Sequence, residues 1–128
     1  MTRYEDGLKI RKEVLGSLYV ENVLKNVTDF DKELQEIITE YCWGLIWTKN
    51  AIPRKYKSLI NVTLLAALGK SNELKIHVKG AIRNGCSREE IKEALLQAMI
   101  YAGVPVGVEG FRIAREAIRE MEEEGWHV

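Results

Sequence analysis

The chain has 128 residues, with 19 lysines and arginines against 19 aspartates and glutamates, so its formal net charge is zero. That balance favours neither nucleic acid nor an anionic membrane. The length suits a single domain over residues 1–128, large enough to bury roughly two-thirds of the unfolded surface. No apolar run reaches a bilayer span, and Met1-Thr2-Arg3-Tyr4-Glu5-Asp6 lacks the apolar segment of a signal peptide, so a cytoplasmic location is expected.

With two prolines and no sustained alternation, the pattern predicts an all-α chain of about six helices. The first runs from Tyr4 to Leu15, apolar through Leu8, Ile10, Val14 and Leu15, and stops at Gly16. Residues 17–27 read either as a turn or as an extended arm. A second helix follows Thr28-Asp29, with Asp31 in its first turn and Leu34, Ile37, Ile38, Tyr41 and Leu45 at helical spacing. It runs into Cys42-Trp43-Gly44-Leu45-Ile46-Trp47, an aromatic stretch that suits either plain core or the wall of a pocket.

Pro53 opens a third helix, Arg54 to Leu68, which is apolar nearly all round after Ser58. A helix without a polar face has to be covered on every side, which predicts a subunit interface nearby. Ser71 to Gly85 then reads as a helix with Ser71 as N-cap and Asn84-Gly85 as its stop. Leu74, Val78, Ala81 and Ile82 form its apolar stripe, and His77 lies on the same side with Glu73 four residues before it. This acid–imidazole pair is the leading chemical feature, although a lone histidine on an apolar face is more often a core residue than a catalyst.

Ser87-Arg88-Glu89-Glu90 is a capping box opening a fifth helix to about Ala102, burying Ile91, Ala94, Leu95, Ala98 and Met99. Pro105 starts a sixth, where Gly107 and Gly110 allow another backbone to come close. The charges from Arg112 to Glu124 suit a solvated face. Cys42 and Cys86 form no Cys-x-x-Cys, and two cysteines with two histidines do not readily build a metal site, so no metal is expected.

Several motifs taken together resemble the carboxymuconolactone decarboxylase family, in its 4-carboxymuconolactone decarboxylase branch. They are Arg3-Tyr4-x-x-Gly7, Arg11-x-x-Val14-Leu15-Gly16, Thr28-Asp29-Phe30, Trp43-Gly44-x-x-Trp47 and Leu65-Ala66-Ala67-Leu68-Gly69. Glu73-Leu74-x-x-His77-Val78-x-Gly80-Ala81-x-Arg83-Asn84-Gly85, Glu89-Glu90-Ile91 and Tyr101-Ala102-Gly103-Val104-Pro105 complete the set, from Arg3 to about Ala117. The resemblance implies an alkylhydroperoxidase D-like orthogonal helical fold and a homo-oligomer, usually a hexamer. It implies a small dicarboxylate lactone as substrate, decarboxylated without a cofactor to β-ketoadipate enol-lactone in the protocatechuate branch of aromatic catabolism.

Thiol peroxidases of the wider superfamily carry Cys-x-x-Cys-x-x-x-His and an earlier glutamate. Here the frame ending at His77 puts Lys70 and Glu73 at the cysteine positions and Ser58 at the glutamate position, so the thiolate chemistry is missing. A thiol redox enzyme and a non-catalytic small-molecule binder remain the alternatives, as does a decarboxylase acting on another lactone or carboxylate.

For the lactone, the resemblance implies that the electron pair released with carbon dioxide passes through the ring double bond to the carbonyl oxygen. The site then needs a donor at that oxygen, a proton for carbon and a cation for the carboxylate that stays. His77 is the candidate for the first or second role, oriented by Glu73, which favours the imidazolium. Arg54 and Arg83 are candidates for the cation, and Tyr41, Trp43 and Trp47 for the wall.

Overall fold

The computed structural model describes residues Met1–Val128 and contains helices and no strand. The order is α1 (Arg3–Leu15), α2 (Ser17–Lys25), α3 (Lys32–Ile37), a π-helical segment (Ile38–Ile46), α4 (Arg54–Ala67), α5 (Ser71–Arg83), α6 (Arg88–Ala102) and α7 (Val104–Glu123). The all-helical expectation holds, with one helix more than expected because residues 17–25 are helical rather than a turn or arm. The chain divides into two compact units, Met1–Arg54 and Lys55–Val128.

In the first unit α1 packs against the π-helical segment. Thr2 caps α1 through Glu5 N at 3.1 Å, and Gly16 ends it. The buried face of α1 is Gly7, Ile10, Arg11, Val14 and Leu15. Opposite it the segment buries Thr39, Trp43 and Gly44. This corrects the expected stripe: Leu34, Ile37 and Tyr41 are exposed, and Asp31 is the N-cap of α3 instead of a first-turn residue. The small residues explain the choice of face. A Cβ on Gly7 would run into the Thr39 carbonyl oxygen and stand 2.6 Å from Gly44 N, so the two backbones touch where no side chain intervenes.

In the second unit α5 and α6 each pack on α7. Their core is Leu74, Val78, Ala81 and Ile82 from α5, Ile91 and Leu95 from α6, and Ile113, Ala114, Ala117 and Met121 from α7, joined by Val62 and Ala66 of α4. The Ser87–Glu90 capping box is present in both directions. Ser71 is not the N-cap of α5: Lys70 holds that place, and the Ser71 hydroxyl donates to Glu109 Oε2 of α7 at 2.9 Å. Gly85, with φ of 90°, turns the chain after α5 as the Asn-Gly signal predicts.

On α6 the buried set is Ile91, Leu95 and Ala98, with Ala94 and Met99 half-buried. Gly107 and Gly110 admit the side chains of Met99 and Leu95, not another backbone. The charged face of α7 is only partly solvated, because Glu116 and Glu120 reach across to Lys75 and Lys79 of α5. On α4, Ser58, Val62 and Ala66 face inward while Tyr56, Ile60 and Leu64, with Leu68 just past the helix end, form an exposed stripe at four-residue spacing.

Candidate functional site

His77 stands between the buried Leu74 and Val78 on α5, on the flank of the stripe that docks on α7. It is half-buried, with Nδ1 out of contact with solvent. Burial pushes its pKa below the ordinary 6.5, and the nearby Glu73 carboxylate pulls the other way. Burial wins because Glu73 is itself exposed and its field is spent largely in water. The pair is therefore present, but its balance differs from the expectation: near neutrality the imidazole is uncharged, a donor of an N–H, not a standing imidazolium.

Arg83, at the end of the same helix, is half-buried; desolvation lowers its pKa and Glu124 opposes the shift. A guanidinium remains charged through such a shift. Asn84 Nδ2 donates to the fully buried Ser58 Oγ at 2.9 Å, tying the end of α5 to α4. Ser58, at the glutamate position of the thiol peroxidase frame, thus serves as a structural acceptor. Lys70 is a helix cap and Glu73 a surface carboxylate, so neither cysteine position of that frame carries redox chemistry.

Cys86 is buried, its Sγ donating to the Lys55 carbonyl oxygen at 3.3 Å, and burial raises its pKa to about 11. Cys42 is exposed, and desolvation raises its pKa too, so both thiols are poor nucleophiles. No group of three or more histidine, cysteine or acidic side chains is arranged to hold a metal ion.

In the first unit the Trp43 and Trp47 rings stack with centroids 4.6 Å apart at 18°. Both are buried. Trp47 and Arg54 share a cleft of about 250 Å³ with Ile10, Lys49, Ile52 and Pro53. The structure thus brings together one predicted wall residue and one predicted cation. Arg54 Nη1 already pairs with Glu13 Oε2 at 2.7 Å, in an exposed bridge. Tyr41 and Trp43 do not line this cleft; Tyr41 is exposed, with the Arg3 guanidinium 5.6 Å from its ring centre.

Arg11 is a buried charge that the motifs do not single out as a site residue. It is 5 % exposed, and its Nη1 donates to Thr39 Oγ1 at 3.0 Å and its Nη2 to Gln35 Oε1 at 2.8 Å. The signal was available: Arg11 lies four after Gly7 and three before Val14, a charge at a core position of α1. A separate groove of about 310 Å³ between α6 and α7, floored by Ile91, Leu95 and Ile118, contains none of the expected residues.

Residues 32–116 match the carboxymuconolactone decarboxylase family. The chain is 41% identical over 122 residues to the nitrosuccinic acid decarboxylase npaB of Metarhizium robertsii, covering 95% of this chain and 85% of that protein. It is 35% identical over 119 residues to the 4-carboxymuconolactone decarboxylase of Acinetobacter baylyi, covering 93% and 89%. A 42-residue match at 40% identity to the 4-carboxymuconolactone decarboxylase of Pseudomonas putida spans 33% of this chain and 88% of that protein. No helix is long and apolar enough to cross a membrane. On this footing of helices and of two relatives matched over nine-tenths of its length, the chain belongs to the carboxymuconolactone decarboxylase family and shares its alkylhydroperoxidase D-like helical fold.

Proposed function

We propose that the protein is a carboxy-lyase acting on a small dicarboxylic acid whose own unsaturation takes up the electron pair left when carbon dioxide departs, with 4-carboxymuconolactone as the first substrate to test. The observation that carries the reaction class is the half-buried His77, kept neutral by desolvation beside Glu73. As the C–C bond breaks, the pair moves through the ring double bond to the lactone carbonyl oxygen, and a neutral imidazole N–H is the donor suited to that oxygen. A proton then goes to the ring carbon beside the carbonyl, completing the enol-lactone. No cofactor enters this scheme, because the ring is the electron sink.

Nitrosuccinic acid is the second reading, favoured by the 41% identity to a decarboxylase of that name. A nitro group is likewise an electron sink, so the same donor serves. Freshly generated 4-carboxymuconolactone and nitrosuccinic acid, each assayed for carbon dioxide release by wild type and His77→Ala, separate the two. Release from neither by the folded wild type overturns the carboxy-lyase assignment. Release by His77→Ala at the wild-type rate removes His77 from it.

Self-association belongs to the same proposal. The exposed stripe Tyr56, Ile60 and Leu64 of α4, continued by Leu68, supports a homo-oligomer, with a hexamer as the expected state. Sedimentation equilibrium of wild type and Leu64→Glu checks it, and a monomeric wild type overturns it.

A further inference from the structure

Arg11 carries a full positive charge at 5 % exposure, and every partner it has is neutral. Thr39 Oγ1 and Gln35 Oε1 accept from its two terminal nitrogens, and its buried Nε donates to nothing. The groups that act on it electrostatically are Tyr19, Cys42 and Tyr4, two phenols and a thiol, with no carboxylate among them. Desolvation does not discharge a guanidinium. The chain therefore holds a cation in its interior with no counter-charge, an arrangement that costs stability and is normally relieved by an acid partner.

The two hydrogen bonds do not account for that cost, since a neutral donor such as glutamine could make them. The position adds a second observation. Thr39, the acceptor of Nη1, lies in the π-helical segment that also carries the stacked Trp43 and Trp47. Runs of π-helix are rare and concentrate at functional sites. Arg54, by contrast, is exposed and already neutralised by Glu13.

We propose that the buried guanidinium of Arg11 is the electrostatic anchor of a carboxylate-binding position in the first unit, taking one carboxylate of a small diacid. At 5 % exposure it works as a positioning residue, drawing the anion through a low-dielectric wall where a fixed charge acts over several ångströms. The choice of a diacid rests on the carboxy-lyase reading; the missing counter-charge does not.

The test separates charge from scaffolding. Succinate and succinamate, which differ by one carboxylate against one amide, are titrated calorimetrically into wild type and Arg11→Gln. Wild type is expected to bind succinate about tenfold more tightly, and Arg11→Gln to bring the two within about twofold by weakening succinate alone. An equal loss of both ligands would mark a merely structural arginine and overturn the proposal. So would an unchanged preference in Arg11→Gln, or a wild type that binds no succinate.

Should Arg11→Gln fail to fold by circular dichroism, Arg11→Lys carries the test: a preference that survives supports the charge anchor, and one that vanishes overturns it. Carbon dioxide release by the wild type is read in parallel. A charge preference without turnover overturns the carboxy-lyase reading and leaves the anchor standing; turnover without a preference does the reverse.

Discussion

In the first unit α1 meets the π-helical segment backbone to backbone, whereas in the second α5 meets α7 through apolar side chains edged by lysine–glutamate pairs. The first contact leaves no room for a Cβ and encloses a cation without an acid. The second encloses only apolar groups and keeps each of its bridging charges opposite a partner at the rim. Close backbone approach and uncompensated charge therefore collect in one unit, and apolar packing with paired rim charges in the other. In the second unit the conspicuous exception is His77, a titratable ring held half-dry.

The sharpest way to break this contrast is a pair of glycine substitutions. At Gly7 an added Cβ meets fixed backbone, the Thr39 carbonyl and the Gly44 amide. Gly7→Ala is expected to cost about 3 kcal/mol or more, read as a lowered unfolding midpoint in denaturant. At Gly107 the added Cβ meets only the Met99 side chain, its Cγ and Sδ both at 2.5 Å and its Cβ at 2.8 Å. A rotamer change clears the Met99 Cγ and Sδ but leaves its Cβ in place, so Gly107→Ala is expected to cost about 2 kcal/mol, partly offset by the helix propensity of alanine. Equal costs would mean that the two interfaces yield alike.

His77→Ala should do the opposite of Gly7→Ala: a loss of turnover of about a hundredfold, with the unfolding midpoint nearly unmoved at neutral pH. The direction of the His77 shift also sets a pH signature. Its folded pKa lies below 6.5, so the stability linked to the neutral ring is present above 6.5 and is lost as pH falls through the folded value. Turnover that depends on the neutral N–H falls over the same acid window. A rate that rises there would identify the imidazolium as the working form.

The rim of the second unit gives a smaller effect. Glu120 bridges Lys75 and Lys79, and those bonds hold its pKa down at about 2 against an ordinary 4.5. Its contribution is complete above 4.5 and is lost as pH falls toward 2. Glu120→Gln should cost under about 1 kcal/mol near neutrality, since the pairs are partly solvated, and should flatten the acid limb of the stability curve. An unaltered limb would place the acid sensitivity elsewhere.

Helix ends and the α5 stripe were legible in the sequence because each depends on neighbours in the chain. The Ser87–Glu90 box, Gly16, Gly85 and the Leu74–Val78–Ala81–Ile82 spacing are local facts. The misread parts depend on distant residues. The burial of Thr39 and Gly44, in place of Leu34, Ile37 and Tyr41, is set by the glycine face of α1, which the apolar content of the segment does not reveal. Ser71 was lost as a cap because Glu109, far along the chain, offers its hydroxyl a charged acceptor. At the site, Glu73 and His77 were legible as a pair, but their balance was not, because desolvation depends on what α5 packs against. Arg11 was not legible because arginines are mostly exposed, and its burial depends on Gln35 and Thr39 from distant parts of the chain.

The smallest expected effect concerns the thiols. The Cys86 thiol donates to a carbonyl and needs a pH near 11 to ionise, while Cys42 is exposed in the first unit with its own pKa raised. Neither is poised as a nucleophile at neutral pH. A Cys42→Ser, Cys86→Ala double variant should keep carbon dioxide release within about twofold of wild type, the serine being tolerated at an exposed position and the alanine leaving only a small void. In wild type, iodoacetamide should label Cys42 well before Cys86, because exposure differs even where both thiols are weakly acidic. A double variant that stays folded yet loses turnover would overturn the thiol-free decarboxylation at its root. It would bring back the redox chemistry of the wider superfamily by a route that bypasses the Lys70–Glu73–His77 frame.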